Sequence, residues 1–223
     1  MSKTLDDKLN EVAADTLKMG NLIQDTVKDA IKAFVTGDVE LAQKIIDNDT
    51  KINDYDIAIE EKCMFIQAEH QPVAGDLRLI HSIYLIVIYL ERIGDIAVSI
   101  AKLVKRLGLQ WKRPVRKEIL DILAEMGNVA QSILEKALKS FSDRDAKLAL
   151  RLESINVTMD GLQKALYQRL YSKKSQGGDY LKLVTNMSLI SRYIARIAEN
   201  SVNIGERVVY FLTGDFKVIH SDL

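Results

Sequence analysis

Apolar residues recur every three or four positions along most of the chain, the spacing that lines one face of an α-helix. Leu5, Leu9, Val12, Thr16, Met19, Ile23, Val27, Ala30 and Phe34 form one such stripe and predict a first helix from about Ser2 to Thr36. Gly37-Asp38 supplies a stop and a start, since glycine tolerates the left-handed backbone after a helix and aspartate caps the next N-terminus. Leu41, Ile45, Ile52, Ile59, Cys63 and Ile66 predict a second helix from about Val39 to Glu69. Its middle is acidic and polar, with Asp47, Asn48, Asp49, Asn53, Asp54 and Asp56. Gln71-Pro72-Val73-Ala74-Gly75-Asp76 reads as a turn, with Asp76 or a neighbour capping a third helix that runs to about Leu107. Gly108-Leu109-Gln110-Trp111-Lys112-Arg113-Pro114 is the next break, close to mid-chain.

The second half then repeats the first, and a repeat governs any reading of fold. At a shift of 107, ten of the 24 positions from Met19 to Ala42 meet identical residues, beginning with Met19-Gly20-Asn21 on Met126-Gly127-Asn128. At a shift of 104, Leu85, Ile86, Tyr89, Arg92, Ile93, Val98 and Ile100 meet Leu189, Ile190, Tyr193, Arg196, Ile197, Val202 and Ile204. The difference places a shortening of three residues in the connection between the second and third helices, whose second-half loop is Ser172–Asp179. The expectation is an all-α protein of six long helices in two tandem three-helix bundles, 1–108 and 114–214, with a tail at 215–223.

Composition supports this and narrows function. Only Pro72 and Pro114 could break a helix, and aromatic residues make up 6%. Lys plus Arg and Asp plus Glu each total 31, so the basic excess of a nucleic-acid binder is missing. The single cysteine, Cys63, allows no intramolecular disulfide and no cysteine-rich zinc site, which fits a reducing cytoplasm. The N-terminus lacks the apolar core of a signal peptide. The apolar run Leu79–Leu90 is short of the ~20 residues a membrane span needs, and Glu91, Arg92 and Asp95 close it.

Those charges are the candidate chemistry. Glu91 and Asp95 lie four apart, hence on one face of a largely buried helix. Folding the second helix back on the third about Pro72 brings Asp49 level with Asp95 and Asn53 level with Glu91. About Gly177-Gly178, Asn156 comes level with Glu199, and Asp160 with Ala195. Level along the axis does not fix rotation. Carboxylates on facing bundle helices can hold metal; all-oxygen ligation suits magnesium, calcium or manganese, while iron and zinc also accept carboxylate. The Glu-x-x-His pair of di-iron sites is absent, since His70, His81 and His220 sit elsewhere. Arg92 and Arg196 could instead neutralise their neighbours, leaving a solvated acidic face. There is no P-loop, dinucleotide fingerprint or Ser-His-Asp set.

Gln71-Pro72-Val73-Ala74-Gly75-Asp76-Leu77-Arg78, then Leu90-Glu91-Arg92-Ile93-Gly94-Asp95, resembles the PhoU proteins, and Asn203–Gly214 resembles that family's C-terminal signature. The resemblance spans nearly the whole chain. It implies a cytoplasmic, non-enzymatic negative regulator of phosphate uptake, often a homodimer, linking the phosphate-specific ABC transporter to a sensor histidine kinase. It also implies metal clusters, iron first and zinc, manganese or magnesium next, on Glu/Asp-x-x-x-Asp motifs. By position Glu91 and Asp95 match that motif in full, and Asp49 and Asn53 match its partner on the second helix. Asp160, Asn203 and Glu206 are retained. Ile96, Ser99, Asn156, Ala195 and Glu199 depart from the family pattern, so the second site is weaker or uses another ligand set. Two other readings are a carboxylate-bridged metalloenzyme and a metal-free helical scaffold whose acidic face binds a basic partner.

Overall fold

The computed structural model describes residues 4–108, 117–171 and 178–215. They form α1 (Leu5–Thr36), α2 (Val39–Asp47), α3 (Asp49–His70), α4 (Ala74–Leu107), α5 (Lys117–Asp143), α6 (Ala146–Leu150), α7 (Leu152–Tyr171) and α8 (Gly178–Thr213), with no strand among them. The expected inter-repeat break at 109–114, the loop at 172–177 and the tail from 216 onward lie outside the described residues.

Local chemistry sets the ends. Thr4 caps α1: its hydroxyl accepts from the Asp7 amide, and the Asp7 carboxylate accepts from the Thr4 amide. Gly37 takes the left-handed conformation (φ 69°), and Asp38 caps α2 by accepting from the Leu41 amide at 2.9 Å. The second repeat copies the turn without the glycine. Arg144 holds φ 52°, and Asp145 accepts from the Leu148 amide at 3.0 Å. A side chain in that conformation costs about 1 kcal/mol.

Two expectations are corrected. The long second helix is broken at Asn48, whose side-chain amide donates to the Lys44 carbonyl at 3.0 Å and competes with the helical ladder. Its counterpart breaks at Arg151. Asp76 does not cap α4; extended Val73 occupies that position with no side-chain cap, and Asp76 lies inside the first turn, where its charge still opposes the helix dipole.

The burial pattern keeps the difference between the repeats where the spacing put it. Residues 51–64 and 158–171 follow nearly the same order of buried and exposed positions, so the shift of 107 holds through the break. The start of α8 matches that of α4 at a shift of 104, which leaves the three missing residues in the connection before α8.

All eight helices bury their apolar stripes in one hydrophobic core. Within the first repeat α4 packs on α1, α2 and α3; across the repeats α4 packs on α8, and α1 on α5. The α1–α5 crossing is a pseudo-twofold contact. Gly20 faces Leu138, and Gly127 faces Ile31, the same pair of positions exchanged between repeats. A Cβ at Gly20 would stand 2.5 Å from a Leu138 methyl, and one at Gly127 would stand 2.7 Å from Ile31 Cγ2. Along its other side, α1 is tied to α3 by ion pairs of Lys8 with Glu69 and of Lys62 with Glu11 and Asp15. Burial alone would raise the Asp15 carboxyl, but hydrogen bonds from Lys18 and Lys62 hold it below its usual value.

Overpacking costs about 1–3 kcal/mol, whereas alanine gains about 1 kcal/mol over glycine in helix propensity. The Leu138 methyls can rotate away; Ile31 Cγ2 is fixed to a branched Cβ. Urea unfolding is therefore expected to show Gly127→Ala destabilised by about 1 kcal/mol and Gly20→Ala close to wild type. Equal midpoints for Gly127→Ala and wild type would mean that the crossing is loosely packed.

Candidate metal-binding face

In the first repeat α3 and α4 approach closely because Gly94 leaves room for Ile52. A Cβ at position 94 would lie 3.0 Å from Ile52 Cδ1. Gly94 sits between Glu91 and Asp95 in the sequence, so the turn that carries the acidic pair is also the turn pressed against α3. Ile52 and Gly94 are level to within two residues of the pairing about Pro72, so the sequence placed the two helices correctly along their axes.

The result is a set of carboxylates that repel one another. Burial raises the Asp49 carboxyl above its usual value, the Asp95 charge raises it further, and Lys102 partly offsets both. Glu91 is raised first by burial, then by the charges of Asp95 and Asp56 and by a hydrogen bond with Asp95; Arg92 gives the smallest, opposing effect. Asp56 is raised by burial and by Glu60. Arg92 is therefore not the neutralising partner of this face. Its guanidinium carbon lies 5.7 Å from the centre of the Tyr89 ring. Glu91, Asp49 and Asp56 are half-buried, while Asp95 and Asn53 are exposed.

Asp56 was noted only as part of an acidic run, yet it is the α3 residue whose charge acts on Glu91. Its spacing of four from Glu60, the same as between Glu91 and Asp95, was the available signal. Gly94 was likewise legible only as a motif residue, not as the seat for Ile52.

The second repeat arranges its set differently. At the shift of 107, Asn156 and Asp160 correspond to Asp49 and Asn53, while Gln163 stands at the position of Asp56. Ala195, 9% exposed, stands at the position of Glu91, and Glu199 stands at that of Asp95. Close approach moves to Gly205, where a Cβ would meet a Leu152 methyl at 2.5 Å; Glu206 follows directly. Glu199 and Asp160 are exposed, and Asn156, Asn203 and Glu206 are half-buried. Asp160 also lines an open groove on the outer side of α7 with Gln163, Lys164 and Tyr167.

Among the described residues no three His, Cys, Asp or Glu side chains form a ready-made metal cage. The chemistry of the first donor set nonetheless fits a hard cation: oxygen donors only, mutually repelling and incompletely offset by Arg92 and Lys102. The second set has one carboxylate fewer, because Ala195 replaces a donor. Cys63 contributes nothing here; it is buried in the core, which pushes its thiol up to about 12.

The family model for the PhoU domain matches the chain twice, at residues 16–104 and 123–208. The chain belongs to the PhoU family. It is 33% identical to the phosphate-specific transport system accessory protein PhoU homolog of Pseudomonas aeruginosa, over 96% of this chain and 87% of that one. The PhoU accessory protein of Escherichia coli is 28% identical over 96% of this chain and 88% of its own. The crystal structure of PhoU from Pseudomonas aeruginosa superposes with a TM-score of 0.87 at 32% identity, covering 95% of this chain and 100% of that one. That of the phosphate transport system regulatory protein PhoU from Streptococcus pneumoniae gives 0.85 at 30%, covering 96% and 99%. The family's fold is thus the all-α tandem repeat found here.

Raised carboxyl values have a definite sign in the pH dependence of stability. Between the ordinary value and the raised one the folded state binds more protons, so stability falls as pH rises through that interval. At pH 7 the ionised Asp49, Asp56 and Glu91 oppose folding; below pH 4 they do not. With metal removed by chelation, Glu91→Gln is expected to stabilise the protein at pH 7 by about 0.5 kcal/mol, a modest figure because solvent screens a half-exposed group. The gain should vanish by pH 4. Melting curves at the two pH values check this, and a destabilised Glu91→Gln at pH 7 would show a favourable partner for Glu91.

Proposed function

We propose that this protein is a non-enzymatic accessory of phosphate-specific transport that represses phosphate uptake and phosphate-starvation signalling. It acts as an adaptor between the phosphate ABC transporter and a sensor histidine kinase. The carrying observation is the double match to the PhoU domain, with relatives named as accessory proteins of that transport system covering nearly the whole chain. Among the described residues no helix is long and apolar enough to cross a membrane, which agrees with peripheral action through the transporter. The reading includes a cytoplasmic location and a homodimer.

The same reading assigns a metal role to the α3–α4 face. Glu91, Asp95, Asp49 and Asp56 would hold the ion in the first repeat, with Asn53 at its edge. Glu199, Asn203, Glu206, Asn156 and Asp160 supply the weaker second set. Iron is the first candidate, with zinc, manganese and magnesium as alternatives. Bound there, the ion supplies charge neutralisation. What the chain itself does is hold the carboxylates on two rigid helices, so that relief of their repulsion stiffens one face of the bundle. A rigid helical bundle presents long, fixed faces, which suits an adaptor better than a catalyst.

A strain lacking this protein should express phosphate-starvation genes in phosphate-rich medium, read as reporter activity raised at least tenfold. Wild-type protein should restore repression, and Glu91→Gln/Asp95→Asn should restore it only in part. Unchanged repression in the deletion strain would sink the regulatory reading. Full restoration by the double variant would sink the role of the acidic face while leaving the regulatory reading in place.

A further inference from the structure

Between Ile93 and Leu103 on α4, three residues escape burial: Asp95, Ser99 and Lys102. They fall within two helical turns on one side of the helix, the side that carries the first acidic set. The internal repeat gives the comparison. At the shift of 104, which the burial of the two helices follows, the same stripe on α8 is Glu199, Asn203 and Glu206. All three belong to the second donor set. Lys102 thus stands where the other repeat presents a carboxylate, and an ammonium group has no lone pair to give a metal.

The exchange balances the two sets. The first has four carboxylates, Asp49, Asp56, Glu91 and Asp95, beside the Lys102 ammonium; the second has three, Asp160, Glu199 and Glu206, on a stripe without a lysine. Both come to the same net charge. Position agrees with the count. Helical side chains tilt toward the N-terminus, so the long Lys102 side chain leans back toward Asp95 rather than past the end of α4. Asp49 opens α3 at the level of Asp95. Burial raises the Asp49 carboxyl, Asp95 raises it further, and Lys102 is the cation that offsets them. At Glu91 the offsetting cation is Arg92 instead. We propose that Lys102 is a resident counter-ion of the first set: its ammonium takes the place beside Asp49 and Asp95 where the second repeat offers a ligand, and it sets how tightly the first set holds a metal ion. This builds on the metal role proposed for the α3–α4 face. The two sets then reach one charge by different routes, an internal cation in the first and a missing donor in the second.

Binding of iron(II) and of manganese(II) to the full chain, each measured anaerobically against a competing chromophoric chelator, tests this. Lys102 is exposed, so its variants leave the core intact, and circular dichroism checks their fold. Lys102→Gln is expected to tighten binding about tenfold, and Lys102→Glu further, since ligand charge and number tune affinity at oxygen-donor sites. Lys102→Arg keeps the charge and should bind as the wild type does. Lys105→Gln should also bind as the wild type does, because it removes a cation that is turned to Gln43 of α2. Adding Glu91→Gln to Lys102→Gln should abolish the gain, which places it in the first set. Equal or weaker binding by Lys102→Gln would overturn the counter-ion role while leaving the metal reading in place. The same holds if Lys105→Gln tightens binding as much, since net charge alone would then explain the effect, or if the gain survives Glu91→Gln. Metal on none of these proteins would overturn the metal reading itself, and the counter-ion role with it.

Discussion

Helices approach to backbone distance only where one of them lacks a side chain, and that constraint organises this bundle. Gly20 and Gly127 admit Leu138 and Ile31, which closes the crossing between the repeats. Gly94 admits Ile52, which closes α3 onto α4. The first pair, together with the packing of α4 on α8, makes the two halves one core. The second brings carboxylates on separate helices into one another's field. Without that approach Asp49 and Asp56 would be ordinary solvated acids, and Asp95 and Glu91 an ordinary surface pair.

The two repeats show how substitutions on a shared register change a site. α7 keeps the buried face of α3 at the shift of 107. Gln163 and Ala195, however, stand where the first repeat has Asp56 and Glu91. The close contact falls at Gly205 rather than at the counterpart of Gly94, which is Ala198. One repeat keeps a repelling carboxylate set, and the other has Ala195 in the position of Glu91. The repeats therefore share a fold without sharing a site.

Much of this was legible in the residues. The stripes of α1 and α4, the Gly37-Asp38 turn and the tandem repeat follow from spacing and turn chemistry, and the level of α3 against α4 follows from the position of Pro72. The breaks at Asn48 and Arg151 were not legible, because the apolar period runs on through them. The role of Asp56 was hidden for a related reason: level along an axis can be counted, but rotation about it depends on packing, here on how deeply Ile52 sinks beside Gly94. In Asp76 a good capping residue lost its position to Val73, because the Pro72 turn sets where the helix starts.

A regulator built this way has a rigid interior and an electrostatically unsatisfied face, and such a face invites a cation. Metal content per chain tests this most directly. It would be measured by elemental analysis on protein purified anaerobically without a metal-affinity tag, then incubated with iron, manganese, zinc or magnesium and desalted. Stoichiometric metal on the wild type, lost in Glu91→Ala/Asp95→Ala with the fold retained, is the predicted result. No retained metal in either protein, or equal metal in both, would contradict it.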